Sequence, residues 1–170
     1  MNNQEKNSYV RAQITAALLR MMQEQDFHSI SIRDLANEAG VGRASFYRNY
    51  SDKEDVLKQE ALRLTKKWGD EFESDPQSSP FNIFESLFNH YKANCAFYQL
   101  LYKAGLSSLL LDTIIEIAGA KPEMNNKEAY GKSFIAYGIY GWVNEWIKRG
   151  MLESGEELNA MLAQNQVVEK

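Results

Sequence analysis

Between residues 43 and 49 the chain gathers Arg43, Ser45, Tyr47, Arg48 and Asn49, all of them side chains that form directional hydrogen bonds. Arginine and asparagine can each make paired bonds to the edges of guanine and adenine in a major groove, while serine and tyrosine hydroxyls suit phosphate oxygens. On a short helix over these residues, Phe46 and the following Tyr50 share one face, and the five polar groups together with Ala44 spread over the remainder. The chemistry on offer is recognition of a nucleic-acid duplex. Catalysis has no such concentration of groups: there is no nucleophile elbow, phosphate loop, paired-carboxylate constellation or set of metal ligands, and His28 and His90 lie far apart. The expectation is a protein that is not an enzyme, with neither a metal nor a cofactor.

The elements that must position these groups are legible around them. Ser31 can cap a short helix whose apolar residues Ile32, Leu35, Ala36 and Ala39 recur at i, i+3, i+4 and i+7. Gly40 then suits the left-handed residue that ends a helix, and Gly42 keeps the turn open before the second helix at about 43–49. This is a helix-turn-helix. Ser51 and Glu54 have the spacing of a capping box for a further helix over about 52–73, with Leu57, Ala61, Leu64, Trp68 and Phe72 along one stripe. That box places Lys53 in the first turn, where the helix dipole disfavours a cation unless an anion is brought to it.

The stretch Ser31–Glu54 resembles the DNA-binding domain of the TetR family of transcriptional regulators. The matching positions are the helix-opening Ser31, then Arg33, Leu35 and Ala36, the Ala39-Gly40-Val41 turn, Phe46-Tyr47, and Tyr50-Ser51 before Lys53-Glu54. The chain departs from the family's usual residues at Gly42, Ala44 and Asn49, which bears on the operator sequence and not on the fold. The resemblance implies an all-α fold in which a three-helix DNA-binding domain is followed by a helical regulatory and dimerisation domain. It implies DNA contacts by Arg33, Arg43, Ala44, Ser45, Tyr47, Arg48, Asn49 and Lys53, with Arg43 the first candidate for base readout and Lys53 on a phosphate. It also implies a homodimer on a pseudo-palindromic operator, with repression more usual than activation.

Size and composition agree. The chain has 170 residues, of which 44% are hydrophobic and only three are proline, enough for a sizeable helical core. Division is expected into 1–54, the DNA-binding part; 55–73, a connecting helix; and 74–170, a ligand-sensing and dimerising part. The Ser- and Pro-containing stretch 74–80 is the clearest linker, with Pro80 placed to open a helix after Ser79. The single cysteine, Cys95, excludes an internal disulfide and continues an apolar stripe. No segment approaches the roughly 20 apolar residues that cross a membrane, and a cytoplasmic location is expected. The net charge of −4 falls wholly on residues 55–170, because 1–54 carries seven basic and seven acidic side chains. A locally positive tip on an acidic body binds DNA weakly as one unit, so two copies are needed.

Residues 8–26 form a first helix with Val10, Ile14, Leu18 and Met22 on one stripe. Beyond the linker, an amphipathic helix breaks near Asn94 and stops at Gly105; residues 106–118 are apolar on most sides and should be buried. Asn125 and Glu128 suggest the cap of a long helix ending at Gly150, and Ser154 with Glu157 a second capping box. Trp68, Phe88, His90, Tyr91, Tyr98, Tyr102, Phe134 and Tyr137 are candidates to line a ligand cavity, although aromatics at such spacing are more often plain core. Gly138, Gly141 and Trp142, with the stripe Leu158, Met161, Leu162 and Val168, are candidates for a dimer interface; packing within one chain is the alternative. The short regulatory region and the helix bearing Trp142 and Trp146 resemble a compact TetR branch. That branch includes regulators tied to dihydroxyacetone metabolism, some coactivated by a protein partner. Partners are therefore operator DNA, a second copy, and a small-molecule inducer or protein coregulator. The rival function is a TetR-like helical sensor or protein-docking module that no longer binds DNA.

Overall fold

The computed structural model describes residues 3–165, so Val168 lies outside the described residues. Within them the chain forms α1 (Asn3–Glu24), a single 3-10 turn (Phe27–Ser29), α2 (Ile32–Glu38), α3 (Arg43–Asn49), α4 (Lys53–Ser74) and α5 (Ile83–Ala93). Then follow α6 (Cys95–Lys103), α7 (Ser108–Ala118), α8 (Asn126–Lys148) and α9 (Gly155–Asn165), with no strand among the described residues. The expected all-α fold is what forms.

In the first part, α1 packs against α2, α3 and α4. Ile14, Leu18, Leu35, Phe46 and Leu57, none of them exposed to solvent, meet in its core. Helix α4 continues out of that core and packs against α5 and α7; α8 lies on α7 and α6, and α9 on α5. A contact of α1 with α6 joins the two halves a second time.

The local signals explain most boundaries. Asn94 ends α5 and begins α6, its side-chain amide donating to the His90 carbonyl at 2.9 Å. Gly105, with φ +73°, closes α6. The Asn125 side chain accepts from the Glu128 amide at 3.1 Å. Ser154 and Glu157 form both bonds of their capping box, at 3.1 and 2.7 Å.

Four expectations are corrected. Helix α4 is capped by Asp52, which accepts from the Asp55 amide at 2.8 Å, while Asp55 accepts from the Ser51 amide at 2.9 Å. Carboxylates outcompete the Ser51 hydroxyl for amides at a positive helix end, so the box slips by one residue. Pro80 does not open α5: Asn82 accepts from the Ser79 amide at 2.9 Å, holding a turn until Ile83. Helix α7 buries Leu109, Leu110, Thr113 and Ile114, but Ile117 is exposed because α4 and α8 cover it on two sides only. Leu158 offers no surface to a partner, being buried within the chain where α9 meets α5. That contact is close enough that a Cβ at Gly155 would lie 2.4 Å from the Asn89 side-chain oxygen.

Where α4, α5 and α6 meet, His90 Nε2 lies 3.1 Å from the Tyr98 hydroxyl, and the rings of Tyr91 and Tyr98 are 4.6 Å apart. Burial pulls the His90 pKa down to about 4, against the opposing pull of Glu71 and with a small further push from Lys67. The same burial raises the phenols of Tyr91 and Tyr98. The unfolded chain takes up a proton on His90 near 6.5 and the folded chain only near 4, so acidification through that window favours unfolding. The urea midpoint of the wild type should therefore fall between pH 6.5 and 4.5 more steeply than that of His90→Gln, which keeps a polar partner for Tyr98 but does not titrate. Parallel curves would show that His90 is not protonated on unfolding.

Candidate nucleic-acid interface

The reading helix is held from beneath by carbon and from both ends by backbone geometry. The Ser31 hydroxyl oxygen accepts from the Asp34 amide at 3.1 Å and donates to the Asp34 carboxylate at 2.6 Å, which with Arg33 lowers the Asp34 pKa. At the other end of α2, Gly40 has φ +64°, the Gly40 amide donates to the Asn37 carbonyl, and the Val41 amide to that of Ala36. This paired pattern reverses the chain and needs a residue free of a Cβ clash. Gly42 then starts α3 with no side-chain cap.

On the inner side of α3, Phe46 is fully buried, its ring 5.4 Å from that of Tyr47 and 6.0 Å from that of Tyr50. Tyr50 is anchored in turn, its hydroxyl 3.4 Å from Thr15 Oγ1 and its ring under the Arg11 guanidinium. The outer side presents Arg43, Ala44, Tyr47 and Arg48, all exposed, with Ser45 half-buried. Neither Arg43 nor Arg48 is paired with an acid among the described residues, so both guanidinium groups keep their donors. Arg33 stands at the flank, its Nε donating to Asp34 at 3.3 Å.

Two expected contact residues are placed differently. The Asn49 amide nitrogen donates to the Ser45 carbonyl at 2.8 Å, so this side chain lies along its own helix and keeps its oxygen and one N–H for a partner. Lys53 turns inward, donating to the carbonyls of Phe27 at 2.7 Å and Ile30 at 2.5 Å with its ammonium 4.5 Å from the centre of the Phe27 ring. Partial burial lowers its pKa, against Asp26 and Glu54. The cation at the start of α4 is thus met by carbonyl oxygens of the chain itself.

In the second half, Trp68, His90, Tyr91 and Tyr98 of the expected cavity residues cluster, while Phe134 and Tyr137 stand apart from them. Phe88 and Tyr98 are core, Phe88 meeting Trp146 edge-to-face with ring centroids 5.7 Å apart, and Tyr102 packs half-buried against the core. Phe134 and Tyr137 are 82% and 58% exposed, because α8 turns Ala136, Val143 and Ile147 inward and this face out. His90 borders a shallow polar depression between α4 and α5 together with Trp68. A more apolar cleft of about 340 Å³, open to solvent on one side, lies elsewhere between α4, α5, α7 and α8. Trp68 and Tyr91 reach it, with Gly69, Phe72, Ile114, Ile117, Lys132 and Ile139, none of which was among the expected cavity residues. A glycine in the middle of α4 was the available signal. Of the dimer candidates, Gly138, Gly141 and Met161 stand open, Leu162 is half-buried, and Trp142 is half-buried with its ring 6.5 Å from that of Phe88.

A helix-turn-helix head on a helical body defines a class of transcriptional regulators. Residues 14–59 match the family model described as bacterial regulatory proteins of the tetR family, and residues 78–166 match a transcriptional regulator C-terminal region. The chain belongs to the TetR family of regulators, and it is a DNA-binding transcriptional regulator and not an enzyme. An uncharacterised helix-turn-helix regulator of Haemophilus influenzae is 36% identical over 52 residues, which is 31% of this chain and 25% of that relative. A Listeria innocua protein of known crystal structure superposes with a TM-score of 0.79 at 19% identity, covering 98% of this chain and 93% of its own. Two regulators named FadR, the first described as a fatty acid degradation regulator, share the fold at a TM-score of 0.54. The one from Bacillus halodurans is 17% identical, covering 91% of this chain and 93% of its own. The one from Bacillus subtilis, solved with stearoyl-CoA, is 16% identical over 92% and 97%. Among the described residues no helix is long and apolar enough to cross a membrane.

The position of Lys53 can be tested by stability. Lys53→Met removes a charged donor from two carbonyls and should lower the unfolding free energy by about 1–3 kcal/mol in urea denaturation. A lysine that served only to meet DNA would leave the midpoint unchanged and weaken DNA binding alone.

Proposed function

We propose that the chain is a repressor that binds a pseudo-palindromic operator as a homodimer, with residues 1–54 reading DNA, 55–73 connecting, and 74–170 sensing a ligand and dimerising. The observation that carries the DNA part is the outer side of α3, where Arg43 and Arg48 keep unpaired guanidinium groups while Phe46 fixes the helix from below. In this reading Arg43 contacts bases, Ser45 and Tyr47 grip phosphates, Ala44 allows close approach, and Arg33, Arg48 and Asn49 contact either phosphate or bases. Lys53 acts through the loop that it braces. Repression follows the habit of the family, and the site of action is the cytoplasm, where operator DNA lies.

The homodimer is supported by α8. Tyr130, Phe134 and Tyr137 are exposed on the same side as Gly131, Gly138 and Gly141, at each of which a Cβ would meet nothing within 4 Å. Large aromatics beside bare backbone on one uncovered face suit close packing of a second helix. Two heads then dock when their separation matches one helical repeat, about 34 Å.

Gel retardation with the DNA upstream of its own gene tests the reading. Salt-sensitive, sequence-selective retardation should be weakened roughly 10- to 100-fold by Arg43→Ala and by Tyr47→Ala, the loss expected of one good contact. No retardation with any genomic fragment would leave the sensor or docking module that has lost DNA binding. In sedimentation, the protein should run at twice the 19.5 kDa of one chain, and Phe134→Glu should shift it toward the monomer. A wild-type monomer at micromolar concentration would sink the homodimer.

A further inference from the structure

The cleft between α4, α5, α7 and α8 is selective by what it lacks. Its walls are Trp68, Phe72, Leu87, Ile114 and Ile139. The polar groups near them are already partnered inside the chain: the Thr65 hydroxyl donates to the Ala61 carbonyl at 2.9 Å, and Trp68 Nε1 donates to Ser86 Oγ at 2.9 Å. A sugar, a nucleotide or another polyhydroxylated guest would leave water without replacement bonds. The charged groups, Glu73 on α4 and Lys132 on α8, come from different walls and have opposite signs. Neither makes an ion pair with another described residue, and they favour no single charge on a guest.

Gly69 adds a second, independent observation. It sits inside α4, where glycine is the poorest helix former after proline. Its φ is not left-handed, and a Cβ there would meet nothing within 4 Å, so no neighbour in the chain requires its bareness. It does line the cleft. The missing side chain leaves room on the α4 wall that the protein itself does not fill.

We propose that the ligand of this domain is a medium-chain aliphatic amphiphile whose hydrocarbon body lies across the bare backbone of Gly69, with its polar end left at the rim near Glu73 and Lys132. This rests on residues 74–170 being a sensing part. The apolar body provides the affinity, and the head contributes little because both signs of charge stand at the rim.

Calorimetric titration of the full chain with decanol, decanoate and decyltrimethylammonium, each below its aggregation concentration, tests this. All three should bind saturably with affinities within about ten-fold of one another, since charges at the rim are screened. Glucose should not bind. Gly69→Ala should raise the melting temperature and keep binding, which shows that the site tolerates substitution. Gly69→Leu should weaken decanol binding by at least about ten-fold by filling the groove. Absence of decanol binding to the wild type, or unaltered decanol binding by a folded Gly69→Leu, would overturn the proposal. Gel retardation without added ligand reports on the regulator reading separately, so the two can fail independently.

Discussion

One helix, α4, is buried by both halves of the chain and ties them together. Val56, Leu57 and Ala61 of α4 belong to the core around α1, and Leu64, Thr65, Trp68 and Phe72 face the second half. At a rise of about 1.5 Å per residue this single element runs some 30 Å without a break. A helix buried at both ends transmits a displacement because its backbone hydrogen bonds keep its length fixed while side-chain packing can slide. The second tie, α1 against α6, limits how it can move: any tilt of α4 must also shift Met22 and Phe27 relative to Leu100 and Ala104.

At the other end of that lever the arrangement is rigid for local reasons. The recognition helix is only seven residues long and would not persist alone. It is stable because Phe46 and Tyr50 bury beneath it, and because the Gly40 turn fixes its angle to α2. Lys53 contributes from below. Its ammonium gathers two carbonyls at the 3-10 turn, which relieves the repulsion between a lysine and a helix N-terminus and locks the start of α4 to the loop ahead of α2. A shift of α4 therefore carries the reading head with it as one body.

The fold was legible where the signals are local. Caps at Ser31, Asn125 and Ser154, glycines at 40 and 105, and the break at Asn94 each act within a turn of chain, so spacing alone locates them. The candidate DNA surface was legible for the same reason, since Phe46 and Arg43 must oppose each other on any short helix. What spacing could not resolve was which apolar side of α8 faces in. Phe134 and Tyr137 are as hydrophobic as Val143 and Ile147, and only the position of α7 decides between them. The carbonyl contacts of Lys53 were not legible because those partners lie more than twenty residues earlier, and Gly69 was overlooked because a gap is a property of the packed structure.

Charge connects the two ends of the molecule. The head carries as many acids as bases, and several of its cations are engaged: Arg20 pairs with Glu38 at 3.1 Å, Arg33 with Asp34 at 3.3 Å, Arg11 donates to Gln59, and Lys53 faces carbonyls. That leaves Arg43 and Arg48 as the free cations of the reading helix, few for a surface whose affinity grows with each phosphate neutralised. Doubling the head is the route to affinity that does not require more positive charge per chain. If a second copy packs there as proposed, the uncovered aromatic and glycine face of α8 becomes part of the same binding problem as Arg43. A ligand that alters the spacing of two weak heads needs to supply less free energy than one that must dislodge a single strong one.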